Sequence, residues 1–268
     1  MNAILYDVAL TAYIVATGAA LGYLLKRQDA LSRFSIVMTQ LGWVCHTVAL
    51  VVRGLEFGRP PLVTLPEIVS VVIWATVLLE LWAERQFRVK VLGAFVLPVI
   101  SMLGLTLPTG LRALLPEPSV RSAWIWVHVV LALLGLAALV LNFAGAVMYL
   151  LQERQLKAKR PGAVYYRLPS LETLDRLTYR TLTLGFPFLT AGLLLGVLWA
   201  HRVWGSVFSF DPLALVSYAM WVVYAATLSG RAMGAWRGRR AAYFAIAGFC
   251  ALLLTLGAGV VFQGRHGL

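Results

Sequence analysis

Four histidines and one aromatic connector are the residues of this chain with chemistry to offer. The connector, Trp199-Ala-His-Arg-Val-Trp-Gly-Ser-Val-Phe-Ser-Phe-Asp-Pro212, joins two strongly apolar stretches. Connectors ordinarily carry small polar turn formers. This one concentrates Trp199, Trp204, Phe208 and Phe210 around His201 and Asp211. The remaining histidines are His46, His128 and His266. Imidazoles set among aromatic rings suit two kinds of ligand, a metal ion alone or a flat cofactor that carries one. Zinc asks for three or four His, Cys or carboxylate ligands in tight geometry, often spaced HxxxH on one helix. No such spacing occurs here. Two axial histidines with rings to stack on fit a haem better, and Arg grips carboxylates such as propionates in bidentate fashion. Arg59, Arg112, Arg121, Arg202 and Arg265 lie on the same side as the histidines. Each of them serves equally well as a lipid-headgroup contact.

The elements that must position these groups are membrane spans. The 268 residues are 60% hydrophobic and 13% charged, with a mean hydropathy of +0.82. Apolar runs near 20 residues mark transmembrane helices. Eight are expected, at about 3–25, 34–52, 67–83, 89–107, 123–151, 181–200, 213–229 and 241–263. The expectation is an all-α integral membrane protein, one transmembrane domain over 1–268, with no separate soluble domain. The first run reads as a span rather than a cleaved signal peptide, because Met1-Asn2-Ala3 carries no side-chain charge. Cys45 and Cys250 fall inside spans and form no CxxC or CxxCH motif, so they read as small buried residues.

The net charge of +12 is distributed by side. Connectors after the first, third, fifth and seventh spans hold three, three, seven and four Lys/Arg, seventeen of the twenty-three. Positive connectors stay in the cytoplasm, so both termini are expected on the outer side. The charge is therefore an orientation signal and not a nucleic-acid footprint. His46 then lies about 9 Å below the outer surface at 1.5 Å per residue. His128 sits about one turn deep, and His201 and His266 lie at or just beyond span ends on that same side. Any one of them serves equally as an interfacial histidine bonded to backbone or water. Four on one side favour a ligand site. Trp43, Trp124, Trp126, Trp199 and Trp204 also fit an interfacial aromatic belt. With no histidine in the inner half, a haem relay across the whole bilayer is disfavoured.

On these residues the chain resembles the cytochrome c assembly family, which includes CcsA, CcmC and HemX/YpjD proteins. The family signature WGxxWxWDP is matched at Trp204-Gly205 and Asp211-Pro212, with Phe208 and Phe210 in place of two tryptophans. GRPPLVTLPEIVSVVIW (58–74), WVHVVLALLGLAAL (126–139) and the stretch 168–200 are similar to other family segments. The resemblance covers roughly residues 40–266. It implies that segment 199–212 cradles a non-covalent, b-type haem at the outer face, with Trp204, Phe208, Phe210 and Asp211 as platform. It further implies His128 and His266 as axial ligands, His201 as pocket lining and His46 as a second-span histidine of the HemX/YpjD branch. CcsA-like sequences carry a membrane-embedded haem histidine where Ser229 stands here. With the two Trp-to-Phe changes, that departure leans toward the HemX/YpjD branch.

The resemblance implies a haem-holding or haem-presenting protein of the bacterial cytoplasmic membrane. Other cytochrome c assembly proteins and apocytochrome c would be its partners. Neither a nucleophile, an acid/base pair nor a phosphate loop is visible, so at most it is a non-covalent component of haem attachment. Two rival readings accompany this one. A HemX-like regulator of tetrapyrrole synthesis would act through the 152–180 connector, where Leu168, Leu171, Leu174 and Leu177 suggest an interfacial amphipathic helix. A small-solute transporter would use spans broken at Pro98 and Pro187, with Glu80 as a lone buried charge. Glu67, at the start of span three, is expected to complement the helix dipole, and the proline-rich loop 108–121 reads equally as lid or linker.

Overall fold

The computed structural model describes residues 2–62, 64–105, 123–158, 162, 165–204 and 212–261. Among them are eight α-helices: α1 (Asn2–Lys26), α2 (Asp29–Phe57), α3 (Leu65–Phe87), α4 (Gly93–Leu105), α5 (Ala123–Lys157), α6 (Leu171–Trp204), α7 (Pro212–Ala232) and α8 (Arg239–Val261). Each expected apolar run has become one helix. Five of the eight, in α1, α2, α3, α5 and α6, are long and apolar enough to cross a membrane. The protein is a multi-pass membrane protein.

Local chemistry explains where the helices begin and end. Gly58, at φ +62°, caps α2 in the left-handed region that a residue without Cβ enters freely. Thr64 and Glu67 form a reciprocal capping box at the start of α3, with Thr64 N–H donating to Glu67 Oε2 (3.1 Å) and Glu67 N–H to Thr64 Oγ1 (3.3 Å). The dipole-complementing role expected for Glu67 is thus realised in a stronger form. Both α4 and α6 remain helical through their internal prolines, Pro98 and Pro187. Neither supplies the broken span that the transporter reading needs.

The long basic connector differs from expectation. Helix α5 runs on to Lys157 and α6 already starts at Leu171. At 35 and 34 residues both exceed the roughly 20 that a hydrocarbon core requires, so each projects beyond it. Leu174 and Leu177 are fully buried, and Leu168 nearly so, in the main core beside Leu141 and Met148 of α5. The leucine spacing therefore records the buried stripe of α6 and not a separate helix lying on the membrane.

Two groups of helices share this core. Tyr13, Ile73 and Leu97 centre the packing of α1, α3 and α4, while Leu139, Leu182, Met220, Tyr224 and Phe249 centre that of α5–α8. The connectors after α1, α3, α5 and α7 gather at one end. Lys90 pairs with Asp29 (2.9 Å), and Arg167 donates to the Leu24 carbonyl. At that end Arg231 also pairs with Asp175 (2.9 Å), whose Oδ1 accepts from Gly238 N–H. Those four connectors are the basic ones, so the charge asymmetry read from sequence is an asymmetry between the two ends of the bundle.

Candidate functional site

At the end opposite the basic connectors, α5 and α6 run side by side on a seam of glycines. A Cβ on Gly135 would lie 2.8 Å from the backbone nitrogen of Leu189, and one on Gly192 would lie 2.9 Å from that of Ala132. Only residues without a side chain permit helices to approach so closely, the packing mode favoured inside membranes. This closeness brings the α6 backbone within reach of a side chain on α5. His128 Nδ1 lies 2.6 Å from the Gly192 carbonyl. A carbonyl only accepts, so Nδ1 is the donor and a neutral ring carries its lone pair on Nε2. One turn further along α6, Gly196 flanks the ring: a Cβ there would sit 2.7 Å from His128 Cε1. The imidazole is thus oriented by a backbone acceptor and walled by a glycine. Metal-binding histidines are oriented in this same manner, the second ring nitrogen anchored to a carbonyl or carboxylate.

The neighbouring turns extend the site. His201 is exposed in the last turn of α6, and the Arg202 guanidinium stands 5.6 Å over the Trp124 ring of α5. Helix α6 then ends at Trp204, and α7 starts at Pro212. The signature segment between them is therefore tethered at the end where His128 lies. The side chain of Trp204, and Phe208, Phe210, Asp211 and His266, lie outside the described residues. So does the loop 108–121 read as lid or linker.

His46 stands elsewhere, between α1, α2 and α3. It is fully buried, with the Tyr13 hydroxyl 3.3 Å from Nδ1 and Ser70 Oγ 2.8 Å from Nε2. The Tyr6 ring meets it edge-on at 5.4 Å. Both nitrogens are occupied by hydroxyls, which ties three helices together. The structure accordingly does not bring His46 to the α5–α6 seam.

Arg59, read from sequence as a possible partner for a cofactor carboxylate, is instead engaged with Glu67 at 3.0 Å. Arg53 holds the other carboxylate oxygen at 2.7 Å, and both guanidiniums lie over Phe57 (4.9 and 5.5 Å). Glu67 thus fastens the α2–α3 connector to the head of α3. Leu62 of that connector packs in turn with Trp126 and Leu133 of α5. Trp43, considered above for an interfacial belt, stacks on Trp74 at 5.5 Å within the helix packing. Gly192 and Gly196 were not singled out as site residues from sequence. Their GLLLG spacing, a small-xxx-small pattern inside a span, is the signal that marks them.

Residues 62–266 match the family model described as cytochrome C assembly protein. A cytochrome c biogenesis protein CcsA of Guillardia theta is 30% identical over 267 residues, covering 92% of this chain and 89% of the relative. A protein of the same name from Synechococcus sp. (strain CC9902) is 32% identical over 247 residues, covering 82% and 81%. One from Chlorella vulgaris is 30% identical over 256 residues, covering 83% and 81%. Among solved structures, cytochrome c heme lyase CcmF superposes with a TM-score of 0.70 at 21% identity, over 99% of this chain. The chain spans about half (49%) of that protein's length, and the likeness is one of fold.

Proposed function

The chain belongs to the cytochrome c assembly protein family, and on that premise we propose that it holds or presents haem at the outer membrane face for cytochrome c biogenesis. The observation that carries the reading is the His128–Gly192 contact, which anchors the imidazole through Nδ1 in the manner of metal-binding histidines. In this reading His128 and His266 would hold the haem iron. Helix α8 runs antiparallel to α5, with Phe249 stacked on Phe143 at 3.9 Å and Ala242 and Ala245 beside Ala146. From Phe143 back to His128 is about 22 Å of helix, and from Phe249 on to Val261 about 18 Å, both toward the same end. The residue order therefore carries the chain toward His128 five positions before His266. Trp204, Phe208, Phe210 and Asp211 make the platform, His201 lines it, and phenylalanine keeps the apolar face for stacking while giving up the indole N–H. Haem supplies the iron. The protein's own residues hold, orient and screen it, and no covalent step is assigned to them.

The same reading puts both termini and the haem site on the outer side of a bacterial cytoplasmic membrane, supported by the clustering of seventeen Lys/Arg in the connectors of one end. Other cytochrome c assembly proteins and apocytochrome c are the proposed partners, as the relatives' names suggest. Phe208, Phe210 and Ser229 support a finer placement toward HemX/YpjD proteins, although the relatives described above carry the CcsA name. Optical spectra of the purified protein, oxidised and reduced, test the site. A bis-histidine Soret and α-band signal is expected in the wild type and absent from a His128→Ala/His266→Ala double variant. Wild-type protein that stays spectrally silent after haem is supplied overturns the assignment.

A further inference from the structure

Glu80 is a buried carboxyl that the haem reading leaves without a task in the middle of the helix bundle. It lies on α3, seven residues from the helix end at Phe87, and is 1% exposed. Its Oε2 is buried with no hydrogen-bond partner. The surroundings are apolar: Ala16 and Ala20 of α1, Val77 of α3, Leu92 just before α4 and Leu97 within it belong to the same core. Gly93, at the head of α4, makes room for the carboxyl, since a Cβ there would stand 3.2 Å from Glu80 Oε1. The packing therefore admits an acid group, and among the described residues no cation stands by to balance it. Groups that face Glu80 electrostatically are Glu84, one turn along its own helix, and Tyr13 from α1. Arg85 and Lys90 face Glu84 and not Glu80, and α2 contributes Cys45 and His46, which meet Tyr13. Helix α4 adds the Ser101 hydroxyl, which meets Thr17 of α1 at 3.0 Å, and the apolar groups Leu97, Met148 and Leu177 come to this core from α4, α5 and α6.

An ionised carboxylate in hydrocarbon surroundings is costly unless paired, and intramembrane Asp and Glu serve characteristically as proton carriers. We propose that Glu80 is a proton-binding site: its carboxyl holds an exchangeable proton inside the α1–α4 packing and exchanges it with the basic end through Glu84. The proton arrives on a Glu80 oxygen from the Glu84 carboxyl and leaves by the same route, so charge and atoms balance without any other reactant. Glu84 suits the role of relay, being half-buried and a single turn closer to the end where Lys90 and Asp29 meet. This inference stands apart from the haem site, which lies at the opposite end of the bundle.

Infrared difference spectroscopy of the whole protein in liposomes, in H2O and D2O at neutral pH, tests it. Wild type is expected to show the carbonyl stretch of a protonated carboxyl, downshifted in D2O. Glu80→Gln, a neutral isostere, removes that band and leaves the haem spectrum as in wild type. Glu84→Gln keeps the band and slows its deuterium exchange at least tenfold. A spectrum unchanged by Glu80→Gln overturns the proton site, and an unchanged exchange rate in Glu84→Gln overturns the route. If Glu80→Gln does not assemble, Glu84→Gln alone decides, because Glu80 is then the buried carboxyl left unpaired. No protonated band in that variant refutes the proposal.

Discussion

Gly196→Ala isolates the claim that the His128 ring must be held where it is. A Cβ at 196 falls 2.7 Å from His128 Cε1 and 3.0 Å from Nδ1. Comfortable carbon–carbon contact lies at about 3.5–4.0 Å, so the ring must retreat by roughly 1 Å. Its anchor is the 2.6 Å bond to the Gly192 carbonyl, and a 1 Å retreat along that direction takes Nδ1 out to about 3.6 Å, beyond a hydrogen bond. Losing such an anchor costs about 0.5–1.5 kcal/mol of net stability. At a metal ligand it lowers affinity by roughly 10- to 100-fold, or about 1.4–2.8 kcal/mol. The assay is haem titration of the purified apoprotein followed by Soret absorbance. Gly18→Ala serves as the control, because a Cβ at Gly18 meets nothing within 4 Å. Expected is a Kd raised about 10- to 100-fold for Gly196→Ala and unchanged for Gly18→Ala. Wild-type affinity and band positions in Gly196→Ala refute the reasoning, since a ligand whose orientation does not matter is not the one described.

His46→Ala empties a site where two hydroxyls meet a buried ring, so thermal unfolding in detergent is expected to show a loss of about 2–4 kcal/mol. Its haem bands stay as in wild type, and their loss would move His46 into the haem site. Glu67→Ala removes the carboxylate shared by Arg53, Arg59 and the α3 cap, and about 2–3 kcal/mol is expected in the same unfolding measurement. Thr64→Ala, which removes only the cap hydroxyl, costs about 1 kcal/mol. Asp175→Ala strips the partner from Arg231, whose side chain is 5% exposed, and the acceptor from Gly238 N–H. Limited proteolysis is expected to cut the α7–α8 connector faster in that variant, and an unchanged cleavage rate argues that the ion pair does not hold the connector down.

Several features of the protein follow from composition and order alone. Runs of about 20 apolar residues must become helices in a bilayer, because only hydrogen-bonded backbone is tolerated there. Hence eight expected spans correspond to eight helices, and basic connectors after alternate spans meet at one end. The candidate ligand His128 and the signature at 204–212 were legible for a similar reason: imidazoles and aromatic rings beside apolar runs are chemically conspicuous. Helix length was less legible at the basic end. Arg154, Lys157, Glu172 and Arg176 lower hydropathy without breaking a helix, so α5 and α6 outrun their apolar stretches.

Tertiary structure decided what each polar group is for. His46 and His128 look alike in sequence, each a histidine near the outer end of an apolar run. Packing separates them: three helices close around His46 with hydroxyls at both nitrogens, while two glycine-faced helices seat His128 against the Gly192 carbonyl. Arg59 and Glu67 carry no mark in sequence that they will find each other. That no counter-charge meets Glu80 among the described residues is likewise a property of how helices pack and not of the residues around position 80. Pattern and composition specify which segments enter the membrane, since that depends on each segment's own transfer free energy. Which side chains meet depends on helix rotation and approach distance, and here glycine placement set both along the α5–α6 seam.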